Sequence, residues 1–205
     1  MLTLFHAPES RSTRVLTLIE EMGIADRIDL RLVGIRRRDG SGTRDAANPH
    51  PEGKVPALLQ DGVLVTETAA ILLHLTDLFP DAGLGPTVTD PQRGAYLTWL
   101  FWYGAVMEPV MIQQAAGLTH PWLHATYRGL AEAEARISAA LAKGPWLLGN
   151  RFTAADILIQ SPYHWFADMV PADPAIRDWL ARGAARPAFI ASKAADQQRR
   201  ATMAA

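Results

Sequence analysis

Three hydroxyls crowd the segment Ala7-Pro8-Glu9-Ser10-Arg11-Ser12-Thr13-Arg14-Val15, directly after the apolar run Leu2 to Phe5. Serine is a poor base but a good hydrogen-bond donor, so hydroxyls at the start of a helix suit the stabilisation of an anion. The same residues also suit plain helix capping. A second group is Asn48-Pro49-His50-Pro51-Glu52-Gly53-Lys54-Val55-Pro56-Ala57-Leu58-Leu59, followed by Glu67-Thr68-Ala69-Ala70-Ile71. Proline lacks an amide hydrogen and is unwelcome inside a sheet. Pro56 at the mouth of a short apolar strand fits a cis turn that leaves the Val55 N–H and C=O facing outward. An extended peptide can dock on such groups as an extra strand. Glu67 and Thr68, at a strand-to-helix junction, add a carboxylate, a hydroxyl and open helical amides, which together suit a small zwitterionic peptide.

The two motifs resemble the glutathione-binding half of the cytosolic glutathione transferases, roughly Asn-Pro-x-Gly-x-Val-Pro-x-Leu and then Glu/Gln-Ser-x-Ala-Ile. Pro51 and Glu52 lengthen the loop here, and Thr68 replaces the usual serine while keeping a hydroxyl. Ser10-Arg11-Ser12-Thr13-Arg14-Val15 is similar to the Ser-Arg-x-x-Arg-Val pattern of the serine-type bacterial and fungal members. The resemblance therefore implies Ser10 as the hydroxyl that activates the glutathione thiol, with Ser12 as the alternative and Thr13 third. It implies that Glu67 and Thr68 hold the γ-glutamyl end and that Val55 and Pro56 meet the cysteinyl portion. Lys54 and Arg11 would face the glycyl carboxylate. A thiol has a pKa of about 8.5 and reacts as the thiolate, so a donor hydroxyl that lowers this value speeds attack at neutral pH. The segment holds no tyrosine and the chain no cysteine, which disfavours the tyrosine and cysteine classes.

The elements that must position these groups are legible in the patterning. Leu2 to Phe5 reads as a strand. Val15, Leu16, Leu18, Ile19 and Met22 follow helical spacing up to Gly23, and Ile28 to Leu32 alternates as a strand. Asp61-Gly62 between Ala57-Leu58-Leu59 and Val63-Leu64-Val65 is a hairpin signal. Ile71, Leu72, Leu75, Leu78 and Phe79 line a helix that ends at Pro80. The order predicts an α/β thioredoxin-like domain over residues 1–80 and a linker over 81–90. An all-α helical domain follows over 91–205, with helices expected at 91–114, 121–142, 153–168, 174–182 and 187–197. Pro109 is expected to kink or end the first of these. Thr153-Ala154-Ala155-Asp156 is a capping box in Thr-x-x-Asp form. The stretch Gly149 to Ile157 looks like the capping segment of the transferase helical domain, and Arg186-Pro187-Ala188-Phe189 resembles that family's closing helix.

In that family the first helix of the second domain faces the thiol across a cleft for an apolar electrophile, which implies Trp99, Tyr103, Trp102 and Met107 as the pocket. Core packing or a dimer contact is the competing role for these residues. The resemblance implies glutathione as cosubstrate, a homodimer, and conjugation of the thiolate to a small apolar electrophile. A glutathione-dependent isomerase, dehalogenase or peroxidase, or a non-catalytic binding protein, would use the same fold.

The net charge of −1 gives no electrostatic case for nucleic acid or an anionic membrane. Arg36-Arg37-Arg38 reads as a solvated loop, with a basic rim near an anionic ligand as the alternative. Met1 to His6 lacks the basic and long apolar runs of a signal peptide, and no run is long enough for a membrane span, so a cytoplasmic location is expected. His120 and His124 are four apart, but no Glu follows His120 and no third ligand is near. They read as a surface pair, and no metal is expected.

Overall fold

In the computed structural model, which describes residues 1–204, the chain divides into two compact units. The first is Met1–Ala82 together with the segment from Arg186 onward; the second is Gly83–Ala185. The closing helix, expected with the helical half, thus belongs to the first unit.

The first unit is built on a four-stranded mixed sheet. Its strands are β1 (Leu2–His6), β2 (Ile28–Leu32), β3 (Ala57–Gln60) and β4 (Val63–Val65), in the order β2-β1-β3-β4. β1 and β2 are parallel and cross over through α1 (Thr13–Met22); β3 runs antiparallel to β1 and to β4. Asp61 and Gly62 both have positive φ (48° and 88°), which gives the tight β3–β4 hairpin the backbone twist it needs. α2 (Thr68–Leu78) follows β4. The fully buried Leu4, Leu18, Leu58, Ile71, Leu72 and Leu75 form the core of this unit. A second cluster, Phe5, Ala7, Val33, Val55 and Ala57, ties the β1 end and the Val55 loop together. The first unit is thus a thioredoxin-like domain.

The second unit holds α3 (Arg93–Trp102), α4 (Glu108–Ala115), α5 (Pro121–Tyr127), α6 (Leu130–Leu141), α7 (Ala154–Gln160) and α8 (Pro174–Ala184). Between α3 and α4 the chain makes a π-helical turn, Tyr103–Met107, so the helix runs through Pro109 instead of stopping there. Pro109 is the second residue of α4, beside the π turn, and has no amide to donate back into it. The single helix expected over 121–142 is broken at Arg128 and Gly129, whose φ values of 65° and 155° lie outside helical geometry. His120 caps α5, accepting from the Trp122 amide at 3.2 Å through Nδ1. The helix expected from 153 ends at Gln160 and tightens into a 3₁₀ turn, Ser161–His164, around Pro162. The capping box forms: the Thr153 N–H donates to Asp156 Oδ2 at 2.9 Å.

α9 (Pro187–Ala204) packs on α1 in the first unit and runs past residue 197. Thr17 and Ser192 share a buried 2.8 Å hydroxyl hydrogen bond, and Arg186 donates twice to the Glu21 carboxylate at 2.5 and 2.6 Å. Among the described residues, no helix is long and apolar enough to cross a membrane, and no group of three or more His, Asp or Glu is placed to hold a metal ion.

Candidate active site

Topology gathers the motifs at one end of the sheet. Phe5 at the end of β1 pairs with Ala57 at the start of β3, so the loop carrying Ser10 and Ser12 leaves the sheet beside Val55-Pro56. Leu58 pairs with Val65 at the end of β4, which brings the entry to α2, with Glu67 and Thr68, to the same end.

The Val55–Pro56 peptide bond is cis. Among the described residues, neither the N–H nor the C=O of Val55 has a backbone hydrogen-bond partner. The approach to it is held rigidly: Asn48 Nδ2 donates to the Lys54 carbonyl at 3.0 Å, and Asn48 Oδ1 accepts from the His50 amide at 3.0 Å. Asn48 and His50 are both buried. Gly53 (φ 65°) lies against Arg44, where an added Cβ would come within 2.8 Å of that side chain. The inserted Glu52 forms an exposed ion pair with Lys54, and this hydrogen bond and charge hold the Glu52 carboxyl below the usual carboxylate range. Lys54 is therefore engaged by its own loop, a pairing that the spacing alone does not reveal.

Glu67 occupies the N-cap of α2 with φ 66°, a left-handed conformation that costs a non-glycine residue energy and clusters at ligand sites. No side chain caps α2, so the amides of its first turn stay open beside the half-buried Thr68. Open amides and the positive end of the helix dipole attract a carboxylate. Arg11 is exposed. Within the basic run, Arg37 reaches back and donates to the Pro8 carbonyl at 2.9 Å, while Arg36 and Arg38 are exposed.

Ser10 and Ser12 are both buried, with Ser10 at 7% and Ser12 at 0% exposure, so Ser10 is the hydroxyl nearer the surface. Ser12 stands at the N-cap of α1, yet its side chain makes no capping hydrogen bond. Its Oγ lies 2.7 Å from Ser10 Oγ and 2.6 Å from His6 Nδ1. Ser10 Oγ lies 2.6 Å from the Ala7 carbonyl, to which it can donate, and accepts from the Ser12 amide at 3.2 Å. Beyond Ser12, His6 Nε2 lies 2.7 Å from Asp196 Oδ1 on α9. Asp196 Oδ2 also accepts from the Glu9 amide at 3.0 Å and the Thr13 hydroxyl at 2.5 Å. Burial raises the Asp196 carboxyl, but the hydrogen bonds from His6, Thr13 and Glu9 outweigh it and hold it below the ordinary value. His6 and Asp196 escaped the sequence reading. His6 looks like an ordinary strand residue, and Asp196 stands 190 positions away on a helix with no chemical motif.

In the second unit, Trp99, Trp102, Tyr103 and Met107 are all buried. The Trp99 and Trp102 rings meet edge-to-face at 5.4 Å, and the Arg136 guanidinium lies over both, 5.0 and 4.7 Å from their centroids. Tyr103 donates to Glu108 Oε1 at 2.9 Å. These contacts give the aromatic group a fixed arrangement. Partial burial lowers the Arg136 pKa from its ordinary value.

Residues 10–78 match the family model described as glutathione S-transferase, N-terminal domain. The chain is 26% identical to the disulfide-bond oxidoreductase YfcG of Escherichia coli (strain K12), over 92% of both proteins. It is 31% identical to glutathione S-transferase GstA of Escherichia coli O157:H7, over 57% of this chain and 59% of GstA. Among solved structures, a sphingomonad glutathione S-transferase complexed with glutathione superposes with a TM-score of 0.76 at 28% identity, covering 95% of this chain and 98% of that one.

Proposed function

Starting from the match of residues 10–78 to the glutathione S-transferase N-terminal domain and the likeness to bacterial glutathione transferases, we propose that the chain binds glutathione at the sheet end formed by Ser10, Val55 and Thr68 and conjugates its thiolate to a small apolar electrophile. The observation that carries the reading is the convergence of the Ser10 loop, an unpaired backbone pair at Val55 and an uncapped helix start at one end of the sheet within one unit.

Glutathione lies as an added strand on Val55. Its γ-glutamyl carboxylate meets the α2 amides and the Thr68 hydroxyl, and its ammonium meets Glu67. Lys54 and Arg11 lie toward the glycyl carboxylate. The Ser10 hydroxyl donates to the sulfur and stabilises the thiolate. Lowering the thiol pKa by about two units corresponds to about 3 kcal/mol of preference for the anion, within the range of one charge-assisted hydrogen bond beside a helix N-terminus. The thiolate sulfur forms the new bond to carbon, and the leaving group departs with the electron pair. The active species is a homodimer.

A second reading has specific support. YfcG is named a disulfide-bond oxidoreductase and matches over nearly the whole chain, and this chain has no cysteine of its own. Any thiol–disulfide step here must therefore use the glutathione thiolate, which would attack sulfur instead of carbon.

The test is a glutathione titration followed by the ultraviolet absorbance of bound thiolate between about pH 5 and 9. A saturable thiolate signal well below pH 8 is expected, with turnover reduced about tenfold or more in Ser10→Ala and glutathione affinity held within a few fold. If Ser12→Ala abolishes the signal and Ser10→Ala leaves it intact, the hydroxyl assignment is wrong. Product analysis with an aryl halide and with a mixed disulfide separates the two reactions.

A further inference from the structure

A chain of short hydrogen bonds leads inward from the candidate thiol-activating hydroxyl. Ser10 Oγ, Ser12 Oγ, His6 Nδ1, and then His6 Nε2 with Asp196 Oδ1, are linked at 2.7, 2.6 and 2.7 Å. Exposure falls from 7% at Ser10 to 0% at Ser12 and His6, and is 2% at Asp196. Only one end of the chain therefore approaches the surface.

Proton bookkeeping fixes its direction. Asp196 accepts from the Glu9 amide and the Thr13 hydroxyl on Oδ2, and Arg199 stands 3.6 Å from Oδ1. An ionised carboxylate is an acceptor only, so His6 Nε2 carries a hydrogen and donates it to Oδ1. In neutral His6 the lone pair is then on Nδ1, and the Ser12 hydroxyl donates to it. Ser12 has no second proton, so Ser12 Oγ is the acceptor in its contact with Ser10. The Ala7 carbonyl, 2.6 Å from Ser10 Oγ, competes for the Ser10 proton but passes none onward.

We propose that Ser10, Ser12 and His6 form a proton relay that takes up the thiol proton of bound glutathione and keeps it inside the protein. The proposal rests on the glutathione reading above and deepens it. As the thiol ionises, its proton passes to Ser10 Oγ, the Ser10 proton to Ser12 Oγ, and the Ser12 proton to His6 Nδ1. Both serines end neutral, glutathione becomes the thiolate and His6 becomes imidazolium. The net charge of the complex is unchanged. Asp196 keeps the Nε2 proton and offsets the imidazolium charge, the role of the third group behind a base in any oriented dyad. Afterwards every donor points toward the anion, from imidazolium to Ser12, from Ser12 to Ser10 and from Ser10 to sulfur, and such aligned bonds reinforce one another. His6 and Asp196 act through the serines and are positioning residues. Other charged groups at this place include Arg199, beside Asp196, Arg200, which faces the Glu9 carboxylate at 3.7 Å, and Arg37, which donates to the Pro8 carbonyl.

The test counts protons. Glutathione is mixed with the full-length protein in weakly buffered solution at neutral pH. Bound thiolate is read by its ultraviolet absorbance and released protons by a pH indicator. The relay requires fewer than about half a proton released per thiolate formed. His6→Gln, whose amide can span Ser12 and Asp196 but cannot take a proton, should release about one per thiolate and raise the thiolate midpoint by about one pH unit. Asp196→Asn, the variant to use if His6→Gln fails to fold, should likewise raise the midpoint while leaving glutathione affinity within a few fold. One proton released per thiolate in the wild type overturns the relay alone, since thiolate has formed. No thiolate signal at any glutathione concentration overturns the glutathione reading itself.

Discussion

Asp156→Asn isolates the buried carboxylate on which the second unit is organised. Asp156 is 0% exposed and accepts four hydrogen bonds. Oδ1 takes the Leu147 amide at 2.9 Å and the Trp179 Nε1–H at 3.0 Å; Oδ2 takes the Thr153 amide at 2.9 Å and its hydroxyl at 3.2 Å. Asparagine has one acceptor oxygen. Turned one way, its NH₂ faces the Leu147 and Trp179 N–H donors; turned the other way, it faces the Thr153 amide, while the Thr153 hydroxyl can rotate and accept. Asparagine therefore strands at least one buried N–H, for a loss of about 1–3 kcal/mol. The pH dependence gives a second check. Burial raises the Asp156 pKa to about 6 from 3.8, against the pull of its four donors. A raised folded-state value means that the native chain binds more protons than the unfolded chain between those two limits. The stability contribution is therefore highest below about pH 4, falls as pH rises to about 6, and is flat beyond, a change of at most about 3 kcal/mol. Asn cannot titrate, so the gap between wild type and variant should widen as pH falls from 7 to 4. Urea unfolding monitored by circular dichroism at pH 4, 5.5 and 7 measures both effects. A loss under about 0.5 kcal/mol at pH 7, or a gap that narrows toward low pH, would refute the reasoning.

Two further outcomes are expected. Val55 meets its ligand through the backbone, so Val55→Ile should leave glutathione KM within about twofold in steady-state assays; a tenfold change would mean that the side chain makes the contact. Arg186→Ala removes the two-pronged partner of Glu21, whose side chain is only 8% exposed, and should cost about 1–3 kcal/mol in denaturant unfolding, with kcat of the folded fraction unchanged.

Whatever is encoded over a few adjacent residues was readable in the sequence. The Asp61-Gly62 hairpin, the cis Val55-Pro56 bond and the Thr153–Asp156 box each depend on residue types a few positions apart, where sterics or a short side chain set the backbone. Helix existence was legible for the same reason, since apolar period reports which face is buried. Continuity was less so: the break at Arg128-Gly129 and the π turn at Tyr103–Met107 interrupt segments whose hydrophobic pattern continues unbroken. Of the candidate site, Ser10, Val55 and Thr68 could be named in advance because each lies in a local motif. Their relation to one another was decided by strand order, which sets Phe5 beside Ala57 and Leu58 beside Val65. The His6–Asp196 pair was decided by tertiary structure alone. It exists because α9 folds back onto α1 and buries Asp196 against the end of β1, and no local pattern specifies which carboxylate closes a loop of 190 residues. Local chemistry thus supplied the hydroxyls, while only long-range packing determined which proton each one holds.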